Sequence, residues 1–169
     1  SDNTVQVKMM DLYGNELVSY QFSADAGYFV NSLTATSDGG FLFVLDFQDY
    51  TIGDNTWASD DGYLTRVIKC DKDGKLQFDT EIDCTGTEYC FEKNEQFYVF
   101  GDCETPETKI RGVGSPTDVS MIVINKNGER INKKSIEGSD YDCLKSAEPS
   151  GECFVLSISS QSDDKDFTG

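Results

Sequence analysis

Short apolar runs alternate with polar clusters along the whole chain, and no segment sustains an apolar period of 3.6 residues. The runs Phe41 to Leu45, Phe97 to Phe100 and Cys153 to Ile158 are rich in aromatic and β-branched residues and are bounded by turn formers, the pattern of strands. Very little helix is expected, and about a dozen strands paired as antiparallel hairpins. Near-continuous apolar character in FLFVL, VIKC and MIVI implies strands covered on both faces. The expected core is therefore Phe43, Leu45, Val67, Ile68, Val99, Ile122, Ile124, Val155 and Leu156.

The pattern repeats. VQVKMMDLYGNELVSYQF, LTRVIKCDKDGKLQFDTEI and VSMIVINKNGERINKKSI each read as strand, polar turn and strand, and a second hairpin follows each of them. The turns superimpose as Asp11 to Gly14, Asp71 to Gly74 and Asn125 to Gly128. Asp or Asn first and Gly fourth suits a type I turn followed by a left-handed residue, where glycine avoids the Cβ penalty. Asp71, Lys72, Asp73 and Gly74 also look like a calcium loop, but an EF-hand places its Gly sixth and a bidentate Glu twelfth. Ile82 occupies position twelve here, so the turn is preferred.

Four strands per repeat in an all-β chain point to consecutive four-stranded antiparallel blades of a β-propeller. Counting from the start gives a half-blade over 1–22, a blade over 29–82, a blade over 87–136 and a half-blade over 141–160. That is about three blades' worth of strands, whereas rings close with about four to eight, so the ring is incomplete in one chain. The missing strands come either from the remaining blades of a longer chain, the preferred expectation, or from a second copy in a homodimer that closes six blades.

Thr36, Ser37, Asp38, Gly39, Gly40, Phe41 and Leu42, followed by Tyr63, Leu64, Lys69, Cys70, Asp71 and Gly74, resemble the T-x-D-G-G-aromatic … K-x-D-x-x-G repeat of bacterial secreted propeller-like proteins. The later hairpins carry Lys93, Asn94, Glu95 and Pro149, Ser150, Gly151 in place of Asp-Gly-Gly. The resemblance implies a noncatalytic extracellular or cell-surface module and supplies no catalytic residues.

Composition narrows the chemistry. The 169 residues include 14 Lys and Arg against 31 Asp and Glu, a formal charge of −17, with no histidine. A surface this acidic repels phosphate backbones and anionic lipid heads, so neither nucleic acid nor membrane insertion is expected. Without histidine, Ser-His-Asp, Cys-His and His-ligated zinc chemistry are excluded within the chain. The six cysteines form no CxxC pair, so no metal and no cofactor is expected. Hydrophobic residues at 37% and aromatics at 12% suffice for a packed core.

The long linkers 46–62 and 102–118 are the expected binding loops, because function concentrates in loops on a rigid scaffold. In the first, Asp46, Tyr50, Asp54, Trp57, Asp60 and Asp61 place aromatics beside carboxylates. That mixture suits a glycan, by stacking and hydroxyl hydrogen bonds, or a protein ligand. The alternative function is part of a carbohydrate-active enzyme using a carboxylate pair as acid and nucleophile. Against both stands a solvated acidic loop anchored by its Trp. Asp46 and Asp102 fall at equivalent blade positions, which suggests a shared turn role. Aligning the second hairpins also makes Cys90 and Cys143 equivalent, as small buried side chains. A turn centred near Asn94 and Glu95 brings Cys103 near Gly86, which makes Cys84–Cys103 the one disulfide candidate.

Overall fold

The computed structural model describes residues 3–24, 28–47, 65–82, 84, 86–104, 117–164 and 166. Among them the chain is all-β. The strands are β1 (Asn3–Met10), β2 (Glu16–Ala24), β3 (Tyr28–Ala35), β4 (Phe41–Phe47), β5 (Thr65–Cys70), β6 (Leu76–Ile82), β7 (Gly86–Lys93), β8 (Gln96–Glu104), β9 (Thr117–Asn125), β10 (Arg130–Ile136), β11 (Asp142–Ser150) and β12 (Cys153–Ser160). They form two four-stranded antiparallel meanders, β3-β4-β5-β6 and β7-β8-β9-β10, flanked by the two-stranded sheets β1-β2 and β11-β12. Among the described residues no sheet closes on itself.

Two sets of hairpins alternate, the first with one shared turn chemistry and the second with turns that differ among themselves. In the first set, the Asp11 carboxylate accepts the N–H groups of Tyr13 (2.8 Å) and Asn15 (2.9 Å), and Gly14 N–H donates to the Asp11 carbonyl (3.1 Å). Asp71 holds Asp73 and Lys75 in the same way, and Asn125 holds Asn127 and Glu129. The fourth residues, Gly14, Gly74 and Gly128, sit at φ of 86°, 78° and 85°. Asp71 thus spends one carboxylate oxygen on its own turn's backbone. In the second set, the β7-β8 turn has Asn94 and Glu95 at φ of 52° and 58°, a two-residue turn whose twist matches the flanking strands, whereas the β3-β4 turn is a four-residue turn with Gly39 at φ of 81°.

All three second hairpins carry a β-bulge at one place. The register slips around Asn31, Glu88 and Lys145 when β3, β7 and β11 are read against β4, β8 and β12. A bulge leaves one residue unpaired and re-aims it.

Successive sheets pack on one another: β7 lies beside β3 and β4, β11 lies across β9 and β8 as well as β7, and β1 approaches β3. Three apolar layers fill the spaces between the four sheets. Phe41, Phe43 and Leu45 face β1-β2, where they meet Val7 and Tyr20. Leu42 and Val44 point the other way, into a layer with Cys90, Val99, Ile122 and Ile124. This period-two alternation buries β4 on both faces. Phe100, Val119, Leu144 and Ala147 pack against Phe91, Phe154 and Leu156 in the third layer.

Val155 corrects the expected core, since it is 61% exposed, and Leu156 is half-buried. Phe154, Leu156 and Ile158 face the β7-β10 sheet, whereas Val155 points to the opposite side, over which no further sheet lies among the described residues.

Candidate functional site

The two ends of the sheets differ. The tight turns at 11–14, 36–40, 71–74, 94–95, 125–128 and 151–152 occupy one end. At that end Asp38 accepts hydrogen bonds from Thr36 Oγ1 (2.6 Å) and Gly40 N–H (3.0 Å) and from the buried Lys69 ammonium (2.9 Å), which also donates to the Cys70 carbonyl (2.7 Å). Gly40 lies so close to β5 that a Cβ there would stand 2.2 Å from the Cys70 carbonyl oxygen. The Thr-x-Asp-Gly-Gly … Lys motif therefore fastens the β3-β4 turn to β5.

The opposite end carries the longer connections, and buried polar groups gather there. Asp46, 4% exposed, accepts from the bulged Asn31 (Nδ2 to Oδ2, 2.5 Å), and its Oδ1 lies 2.6 Å from Thr65 Oγ1. Thr65 Oγ1 is also 2.6 Å from the Cys84 carbonyl, so one hydroxyl proton serves two acceptors. Asp102 Oδ1 accepts the Leu144 N–H across the sheet interface (2.9 Å). Burial pushes the Asp102 carboxyl up, against the pull of that hydrogen bond. Nearby, the bulged Lys145 places Nζ 3.1 Å from Cys143 Sγ, and the bond to that sulfur raises the Lys145 ammonium. Cys84 and Cys103 are joined by a disulfide that ties the segment after β6 to β8.

Several expectations need revision. Asp46 is a buried strand residue, since β4 runs on to Phe47, and both its oxygens are engaged inside the fold. Likewise Asp102, Cys103 and Glu104 belong to β8, and Thr117 and Asp118 to β9, so the second linker is shorter than 102–118. Tyr50, Asp54, Trp57, Asp60 and Asp61 lie outside the described residues. Cys90 and Cys143 are both buried but not equivalent: Cys90 pairs with Val99, near the turn, and Cys143 with Ser159, near the far end. The residues that sequence reasoning missed are Asn31, Lys145 and Thr65. Val30-Asn31-Ser32 and Leu144-Lys145-Ser146 each break strand alternation with a polar residue, which was the available signal.

Compared with known proteins, the chain matches no protein-family profile and no curated sequence.

Proposed function

We propose that this chain is a noncatalytic binding or scaffold module of β-propeller type, related to the bacterial secreted propeller-like repeat proteins and working outside the cell or at its surface. The observation that carries the architecture is the packing of β7 against β3 and β4 and of β11 across β7, β8 and β9, which stacks three successive up-and-down sheets. Blades arranged around an axis have that neighbour relation. The blades are 29–82 and 87–136, with half-blades 1–22 and 141–160. The Cys84–Cys103 disulfide supports an oxidising compartment.

The binding face is the end that bears the connections 48–64 and 105–116, where the bulged strand ends and the Asp46 and Asp102 networks form a rigid floor. Tyr50, Asp54, Trp57, Asp60 and Asp61 are the ligand-contacting candidates, for a glycan or a protein surface. Asp46 works by positioning, because it is buried and hydrogen-bonded on both oxygens. That favours binding over glycoside hydrolysis. The test is a glycan array run beside a hydrolysis screen on the same sugars. Binding without turnover, lost in Trp57→Ala at unchanged thermal stability, is expected. Turnover abolished by an Asp→Asn change in 48–64 would overturn the noncatalytic reading.

A further inference from the structure

Gly74 rests against Val18 and Tyr20 on β2, and Gly128 rests against Phe78 and Thr80 on β6. Both turns are thus seated on the outer strand of the sheet before them. The seat of Gly128 is the tighter one: a Cβ there would stand 2.7 Å from Phe78 Cβ, against 3.0 Å from Val18 Cγ1 at Gly74. Thr80 Oγ1 adds a hydrogen bond to the Gly128 carbonyl (2.6 Å). The turn held there carries Asn127–Gly128, the one Asn-Gly pair in the 169 residues.

Asparagine is thermolabile, and a following glycine has no Cβ to obstruct ring closure. The amide nitrogen of Gly128 attacks Cγ of Asn127. A bond forms between them, the bond from Cγ to Nδ2 breaks, and ammonia leaves with the proton of the Gly128 amide. Water then opens the five-membered imide at either carbonyl, which leaves aspartate or, with the main chain rerouted through the side chain, isoaspartate. Water is the one co-reactant. The sister turns lack this chemistry: Tyr13 precedes Gly14 and offers no carbonyl, while Asp73 precedes Gly74 with an ionised carboxylate, bonded to Lys72 Nζ at 2.8 Å, that is a poor target for an amide nitrogen.

The two reacting groups are held very differently. Asn127 is exposed, and its side-chain amide has no hydrogen-bond partner among the described residues. Gly128 is buried, and its N–H donates to the Asn125 carbonyl (3.0 Å), the bond that closes the turn. Ring closure requires the peptide plane between Asn127 and Gly128 to rotate. That rotation breaks the turn's own bond, pulls the Gly128 carbonyl away from Thr80 and drives Gly128 against Phe78. We infer that Asn127 is a deamidation site gated by the seat of its turn on β6, so that opening of this contact between the two four-stranded sheets is recorded as a covalent change. The record runs one way. Isoaspartate lengthens the main chain by a methylene just before Gly128, and neither the closing bond of the turn nor the fit against Phe78 survives that.

The test compares the folded 169-residue chain with the same chain in urea, at one mildly alkaline pH and one temperature. Peptide mass spectrometry follows the loss of the Asn127 amide, and methylation by an isoaspartyl methyltransferase counts the isoaspartate. The folded chain should react about tenfold more slowly, because the reaction passes through an open turn that has lost two hydrogen bonds. Thr80→Val removes the bond to the Gly128 carbonyl and should speed the folded reaction about fivefold while leaving the rate in urea unchanged. Thr80→Ser keeps the hydroxyl and should keep the slow rate. Cys84→Ser with Cys103→Ser weakens the fold at the opposite end of the sheets and should leave the folded rate as it was. No reaction at Asn127 in urea would overturn the site, and equal rates in folded and unfolded chains would overturn the gate. Acceleration by the disulfide variant as large as that by Thr80→Val would assign the protection to the whole fold and overturn the role of the seat.

Discussion

Gly14, Gly74 and Gly128 share one backbone conformation but have different surroundings, so alanine at each separates the strain of the turn from its seating on the neighbouring sheet. All three lie near φ of 80°, and left-handed backbone costs an L-residue about 1–2 kcal/mol. Loss of glycine's freedom in the unfolded chain returns about 0.4–1 kcal/mol. Gly14→Ala adds a methyl into open space and should destabilise by about 1 kcal/mol. At Gly74 the methyl would lie 3.0 Å from Val18 Cγ1, near the end of a side chain that can yield, so the cost should be slightly larger. At Gly128 it would lie 2.7 Å from Phe78 Cβ, 2.8 Å from Phe78 Cγ and 2.9 Å from Thr80 Oγ1. Overpacking of this kind costs about 1–3 kcal/mol. Displacing Thr80 also threatens its 2.6 Å hydrogen bond to the Gly128 carbonyl, worth about 1 kcal/mol. Gly128→Ala should therefore lose about 3–5 kcal/mol in all. Urea unfolding at one low protein concentration, followed by tyrosine and tryptophan fluorescence, reads the three values. Equal losses at Gly14 and Gly128 would show that turn seating contributes nothing, and the inter-sheet packing described above would be wrong.

Breaking the disulfide with Cys84→Ser and Cys103→Ser should cost about 3 kcal/mol, from loop entropy over a separation of 19 residues, read as a lower urea midpoint that reductant no longer changes. Burial lifts the Asp38 carboxyl, but hydrogen bonds from Lys69, Thr36 and Gly40 outweigh it and hold the group down at about 2, so its contribution is present above the unfolded Asp value of about 3.9 and disappears as pH falls toward 2. Asp38 is half exposed, which limits that contribution to about 1 kcal/mol; Asp38→Asn should flatten the acid limb of a pH series of urea midpoints, and an unchanged limb would refute the assignment. In a native thiol titration Cys153 should react quickly, whereas Cys70, Cys90 and Cys143 should wait for unfolding, because they are buried and burial pushes the Cys70 and Cys90 thiols up to about 11.

What the sequence made legible was what local chemistry decides. Asp or Asn first and Gly fourth dictated three turns, and the near-continuous apolar run FLFVL implied a strand covered on both faces. The inward assignment of Val155 rested on its apolar neighbours, and whether a face is covered depends on which sheet arrives from elsewhere. Cys90 and Cys143 were misaligned because position along the chain does not give height on a sheet: Cys90 lies on the turn side of the bulge at Glu88, and Cys143 lies beyond the bulge at Lys145, away from the turn. Asp46 read as a loop residue because Asp is a strand breaker by propensity. Its place at the end of β4 is secured by partners from two other strands, Asn31 and Thr65, which a linear reading does not bring together.

The boundary of the sequence repeat and the boundary of the sheet do not coincide. Each complete meander joins the second hairpin of one repeat to the first hairpin of the next. Unequal recombination between repeats could therefore insert or delete 54–60 residues and still deliver an intact sheet, since Gly74 rests on Val18 and Tyr20 and Gly128 on Phe78 and Thr80, in each case four and six residues beyond the preceding turn glycine. A gene built this way can change the number of its sheets in a single event without passing through an unpaired intermediate. Selection would then act on the number of sheets directly, while the connections at the end opposite the tight turns diverge independently from one repeat to the next.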